Sequence, residues 1–182
     1  FLNSYPFGKA IDLNSDNDGT VTLTNVYDPQ YNRGPADYDI THTLSSSWIY
    51  EIPWAREKLW GGWQFGGILL LRGGLPLSVT QTQGVQSTGT GNRPNRVCDG
   101  KLANPTIDRW FDLSCVSPTT ENPATYGASG RNIIRGLGSF NIDASLIKNT
   151  KIGRLATEFR VEAFNVLNHP QFANPNTTIG NA

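Results

Sequence analysis

The sequence predicts an all-β chain of antiparallel, up-and-down strands. Three observations carry that reading. Apolar and polar residues alternate with period 2 in several stretches. Gly (19) and Pro (11) are plentiful, Met is absent and helix formers are scarce. An Asn/Gly-containing break, residues 149–153, joins two of the alternating stretches in the manner of a hairpin turn.

The elements follow in chain order. Residues 1–11 are aromatic-rich and extended in character, and Pro6 demotes them to an irregular or edge strand. Residues 12–39 form a long polar loop. Within it Asp12, Asn14, Asp16 and Asp18 precede Gly19, which resembles half of a calcium loop, but Asn25 stands where a bidentate Glu should close it. A solvated turn is the plainer reading. Residues 40–53 make a strand with Leu44, Ser46, Trp48, Tyr50 and Ile52 on one face and Thr43, Ser45, Ser47 and Glu51 on the other, Ile49 being the exception. A short charged turn, 53–62, follows. Trp48, Tyr50, Trp54, Trp60 and Trp63 then fall near one end of two strands, as a membrane interface selects for amphipathic rings; the alternative is an aromatic mini-core under the turn.

Residues 62–82 are read as the longest strand, oily on both faces at Ile68–Leu71, with Gly pairs marking kinks or close approach of another backbone. Residues 83–138 follow, a loop of about 55 residues, a length that is rare inside a compact soluble domain. Cys98 and Cys115 lie in it, and a disulfide between them would suit an oxidising compartment; two unpaired thiols are the alternative. In 139–149, Phe140, Ile142, Ala144 and Leu146 alternate with Asn141, Asp143 and Ser145. In 154–167, Leu155, Thr157, Phe159, Val161 and Ala163 alternate with Glu158, Arg160 and Glu162. Residues 168–182 are again polar.

A soluble sheet would bury the oily face of this hairpin in a core, whereas a transmembrane barrel would turn it to lipid and the charged face to the lumen. Loop lengths favour the barrel. Long and short connections alternate, so the long ones (12–39, 83–138, 168–182) share one end and the short turns the other, as in outer-membrane barrels. The absence of a long apolar run does not argue against this, because barrel strands show none. With 15 basic and 15 acidic residues in 182, the chain offers no electrostatic case for nucleic acid. Hydrophobic content of 37% is low for a compact core of this length. No signal peptide is read at Phe1, and the expectation is a piece of something longer.

Six motifs, in order, resemble large TonB-dependent outer-membrane receptors, most of all the Oar-like group that carries a carboxypeptidase regulatory-like domain. They are NRGPADYDITHTLSSSWIYEIPW (32–54), GGWQFGGILLLRGGLPLSVT (61–80), RPNRV (93–97), RWFD (109–112), GASGRNIIRGLG (127–138) and FRVEAFNVLNHPQFANPNT (159–177). The resemblance implies a barrel of about 22 strands enclosing a plug, of which this chain supplies about five strands and long external loops. It further implies the bacterial outer membrane as location. The partners would be outer-membrane lipid, the rest of the barrel, the plug, and the TonB complex reached through an N-terminal part not seen here.

No active site is read in the chain. His42 and His169 are isolated and make no metal site, Gly8-Lys9 lacks phosphate-loop spacing, and no Gly-x-Ser-x-Gly elbow occurs. Glu158 and Glu162 could be glycosidase carboxylates, but with Arg160 between them a lumen-facing ladder, together with Asp143, is the plainer reading. The expectation is a transport protein, not an enzyme, with no cofactor. Arg93, Arg96, Trp110 and Arg131 are the candidate ligand contacts in the long loop, structural packing of that loop being the competing reading. A secreted β-sandwich for adhesion or glycan binding is the alternative class. It requires Phe140, Ile142, Leu155, Phe159 and Val161 to pack against a second sheet.

Overall fold

The computed structural model describes residues 1–15, 23–53, 61–82, 93–119 and 125–180. The chain divides into two compact units.

One unit, Phe1–Phe7, Thr41–Gly73 and Gly138–Phe172, is a single sheet of five strands: Leu2–Ser4, Thr43–Glu51, Trp63–Arg72, Ser139–Ile152 and Leu155–Ala163. They lie side by side in chain order, every neighbour antiparallel. The register is set by the alternation. Phe140 pairs with Leu71, Ile142 with Leu69 and Leu146 with both Phe65 and Val161, so the apolar residues of successive strands fall in rows on one face. The intervening rows carry Asn141, Asp143, Ser145, Glu158, Arg160 and Glu162. Among the described residues both outer strands present an unpaired edge, so the sheet is open.

The last hairpin is longer and tighter than its sequence suggests. The fourth strand runs on from the expected 149 to Ile152, and the fifth begins at Leu155, leaving Gly153-Arg154 as a two-residue turn. Gly153 has φ +62°, which a primed hairpin turn requires at its first central position. The fifth strand stops at Ala163 rather than 167. Asn165 and Asn168 adopt φ +49°, and the Asn165 N–H donates to the Asp143 carboxylate at 2.9 Å, ending the ladder.

The first and third strands also differ from expectation. Residues 1–11 contribute only Leu2–Ser4 to the sheet, with one isolated bridge from Phe7 to His42. The strand expected over 62–82 ends at Arg72. There Gly73 N–H donates to the His42 carbonyl oxygen at 2.8 Å. Gly74 then passes so close to the Gly136 backbone that a Cβ would lie 1.8 Å from its oxygen.

The other unit, Gly8–Ile40, Gly74–Leu137 and Ala173–Ala182, is made of the three long loops. Among the described residues four two-residue ladders hold it: Ile11–Asp12 with Gly34–Pro35, Pro76–Leu77 with Ile134–Arg135, Asn95–Arg96 with Val116–Ser117, and Thr80–Gln81, in parallel, with Thr178–Ile179. A small core of Val79, Val116 and Ile134 is packed by Trp110, Phe111 and Ile179. Cys98 and Cys115 form a disulfide with Cα atoms 4.8 Å apart. The described part of 83–138 is therefore ordered by pairing and is not structureless.

Candidate functional site

The sheet offers two chemically distinct faces. On the apolar face, the row Tyr50–Phe65–Leu146–Val161 leads to the row Trp63–Lys148–Phe159 at the short-turn end. One row further into the sheet, Trp48 lays its ring over Gly67, where a Cβ would come within 2.4 Å of ring carbon. The missing side chain lets the indole cover bare backbone. Trp48, Tyr50 and Trp63 thus share one face near one end. Trp54 and Trp60 lie outside the described residues.

This face is not buried. Leu155, Phe159 and Val161 are 71%, 58% and 67% exposed, and Phe140 and Ile142 are half-buried. Among the described residues their unit holds one sheet, and no second sheet of that unit covers them, as a sandwich would require. A contiguous apolar face of this kind marks a surface made to contact something other than water.

Lys148 is the exception on the apolar face. Its Nζ donates to the Gly61 carbonyl oxygen and lies 5.2 Å from the Trp63 ring centroid. The amine is carried to the aromatic end of the sheet while its stem stays among apolar neighbours.

On the opposite face Arg160 bridges Glu158 at 3.0 Å and Glu162 at 3.4 Å, all three about half exposed. Exposed pairs of this kind add little stability, so their organisation serves the surface rather than the fold. Asp143, expected beside them, is used differently. Its carboxylate accepts from Asn141 Nδ2 at 2.8 Å and from the Asn165 N–H, and so closes the end of the fifth strand.

The loop unit is organised by two aspartate–arginine clamps. Arg131 pairs with Asp12 and with Asp37, and also donates to Ser15 Oγ. Arg135 pairs with Asp39, whose side chain is 3% exposed, and donates to the Asp39 carbonyl oxygen at 2.7 Å. Asn132, at φ +56°, is buried between them and accepts a hydrogen bond from Ser78 Oγ at 2.9 Å. Asp37, Asp39, Asn132 and Arg135 were not singled out by sequence reasoning. The signal was present as two aspartates two apart in ADYD and two arginines four apart in GRNIIRG, but nothing local links the two strings.

The four candidate ligand contacts all have internal partners. Arg96 pairs with Asp99 and donates to the Cys98 carbonyl oxygen at 2.9 Å. Trp110 donates through Nε1 to the Arg135 carbonyl oxygen at 2.6 Å. Arg93 stacks on Tyr31, its guanidinium carbon 3.9 Å from the ring centroid. Only Arg93 and Arg131 come together, in the wall of one cavity of about 490 Å³ with Asn32, Asp37, Ser78 and Asn132.

Asp12 is committed to Arg131 and Ser15, so its carboxylate is not free for calcium. Asp16 and Asp18 lie outside the described residues. Among the described residues no group of three or more His, Cys, Asp or Glu could hold a metal. Asp112 caps the turn Leu113–Cys115. The Ser114 hydroxyl and N–H, then Arg109, hold its carboxyl below the usual range.

A family model described as an outer membrane beta barrel domain matches residues 1–182. No curated protein and no solved structure matches the chain.

Proposed function

We propose, from the premise that this chain belongs to the outer membrane β-barrel domain family, that it supplies wall and ligand-facing loops to a TonB-dependent receptor. The protein is one of the bacterial outer membrane. The observation that carries the finer reading is the uncovered apolar face, with Tyr50, Trp63 and Lys148 gathered at the short-turn end. Lipid takes that face, and the rings and the amine sit at the level where acyl chains give way to headgroups.

The opposite face, with the Glu158–Arg160–Glu162 row, lines the lumen. The open edges at Leu2–Ser4 and Leu155–Ala163 pair with further strands of a barrel of about 22. The long loops gather ligand outside. TonB, acting through a plug and the N-terminal part of the receptor, supplies the energy for passage. The six motifs in order support this assignment over a passive pore.

The test is ligand accumulation by cells expressing the full receptor, with and without a functional TonB complex. Undiminished uptake without TonB overturns the transport reading. A full-length protein that is monodisperse in water without detergent overturns the wall reading.

A further inference from the structure

Another cavity of the loop unit, of about 530 Å³, lies between residues 107–113 and residues 175–177. That volume is within the range of small-ligand sites. Its wall includes the unit's own core, Val79 and Ile134, beside the Trp110 and Phe111 rings. Ile107 and Leu113 stand in the same wall and are 62% and 66% exposed. The wall therefore keeps apolar surface in contact with water, and an occupant that covers it is favoured.

The two rings offer only carbon to such an occupant. The Trp110 Nε1–H already donates to the Arg135 carbonyl oxygen, and the Phe111 side chain has no polar atom. Three ionisable side chains belong to the wall: Asp108, Arg109 and Asp112. Arg109 and Asp112 pair at 3.4 Å, and the Asp112 carboxylate also accepts from the Ser114 N–H and hydroxyl. Asp108 has no hydrogen-bond or ion-pair partner for its side chain among the described residues. The wall thus carries one uncompensated negative charge. Lys101 follows Gly100, on which the Phe111 ring rests, and is not part of the wall. An unanswered carboxylate attracts a cation by its charge, and an aromatic ring does so by its quadrupole. The same carboxylate repels an anion, and a neutral polar ligand loses its water to carbon walls that give no hydrogen bond in return.

We propose that this cavity binds a small organic ammonium ion with an apolar body. The ammonium answers Asp108, and the body covers Ile107, Leu113 and the two rings. A free amine and the N-terminus of a peptide that begins with an apolar residue share this chemistry. The inference rests on the loops being the ligand-facing side of the receptor, and it narrows what they select.

The experiment is calorimetric titration of the full-length protein in uncharged detergent micelles, with micelles alone as the blank. The probes are phenylalaninamide, N-acetylphenylalaninamide, glycinamide and 3-phenylpropionate. The second keeps the apolar body without the charge, the third keeps the ammonium without the body, and the fourth reverses the charge. The expected result is saturable phenylalaninamide binding, with the other three weaker on the order of tenfold or more. Asp108→Asn brings phenylalaninamide down to the level of its acetylated form, and Glu51→Gln, in the sheet unit, leaves it unchanged. The amide of Phe-Gly-Gly separates the two sources: tighter binding than phenylalaninamide assigns peptide N-termini, and binding no tighter assigns free amines.

Phenylalaninamide binding no better than its acetylated form overturns the proposal. So does 3-phenylpropionate binding more tightly than phenylalaninamide, or an Asp108→Asn protein that is folded and binds phenylalaninamide as the parent does. Should Asp108→Asn fail to fold, the probe comparison on the unaltered protein decides. Binding in micelles needs no TonB, so failed uptake and failed binding are separate outcomes.

Discussion

Val161 and Ile49 are a matched pair for testing which face meets lipid. They are 67% and 66% exposed, they lie in adjacent rows of the sheet, and they point to opposite faces. In water, replacing either by Arg at such exposure changes stability by no more than about 0.5 kcal/mol. In a membrane the two differ. Val161 lies two residues from the Trp63–Lys148 row, which is about 7 Å along the strand and about 5 Å along the bilayer normal at barrel tilt. Ile142, on the same face, lies six residues from Lys148, about 15 Å along the normal and so near the middle of a ~25 Å band. An Arg on the lipid face costs about 2–4 kcal/mol at the midplane and about 0–1 near the interface. The expected losses are therefore about 3 kcal/mol for Ile142→Arg, about 1.5 for Val161→Arg and about 0.5 or less for Ile49→Arg. The assay is reversible urea unfolding of the full-length protein in lipid vesicles, with tryptophan fluorescence as readout. Equal losses at Val161 and Ile49, or a smaller loss at Ile142 than at Val161, refute the assignment of the faces.

Four further outcomes follow from the same geometry. Reducing Cys98–Cys115 removes about 2–4 kcal/mol from the loop unit, read as faster proteolysis at loop sites while strand peptides stay protected. Asp39→Asn leaves Arg135 facing a neutral partner at a site where Asp39 is 3% exposed. Because Arg135 is partly exposed, the cost is about 2 kcal/mol, below the range for fully buried pairs, measured by hydrogen exchange around Ile134. Gly153→Ala meets nothing within 4 Å but holds φ +62°, so it costs about 1 kcal/mol through backbone strain alone, seen as a lower urea midpoint with unchanged slope. The Asp112 carboxyl is held below its usual range. Its contribution is therefore complete above the ordinary carboxylate pKa and is lost as pH falls through the folded value. The protection factor of the Ser114 amide, its exchange relative to the unfolded chain at the same pH, should fall as pH drops through the folded value, and Asp112→Asn should abolish that pH dependence.

The sheet was legible because its code is local. Alternation in 40–53, 139–149 and 154–167 assigns each residue a face, and antiparallel pairing then stacks like with like. The reading failed where the partner, not the pattern, decides. Residues 75–81 continue the alternation of the third strand, yet Pro76–Leu77 pairs with Ile134–Arg135 and Thr80–Gln81 with Thr178–Ile179. Nothing in the local string distinguishes a strand that goes on from one handed to another sheet, except Gly73-Gly74. The loop unit was illegible for the same reason. Its clamps join residues far apart, Arg135 to Asp39 across 96 positions, and such contacts leave no period in the sequence. Arg93 and Arg131 were noticed as loop arginines. That Arg131 takes two carboxylates while Arg93 stacks on a ring could be learned only from where Asp12, Asp37 and Tyr31 arrive.

Near the short turns two neighbouring residues break the alternation, as Ile49, Ile68 and Leu70 do further into the sheet. Ile147 lies on the charged face yet is 8% exposed, between Gln64 on one side and Arg160 on the other. Lys148 lies on the apolar face and bonds to the Gly61 carbonyl beside the Trp63 ring. Both fall in the last rows that the third and fourth strands share before the short turns. A strict binary pattern is needed only where one side is dry hydrocarbon. At a headgroup level the sheet tolerates an amine on its oily side, provided a ring and a carbonyl receive it. On the proposed barrel reading, Lys148 on the apolar face, with Trp63 alongside, puts the membrane boundary at that row. On that placement Lys148→Leu should let the sheet settle deeper and Lys148→Glu should not, a difference readable as the depth-dependent quenching of Trp63 by brominated lipid.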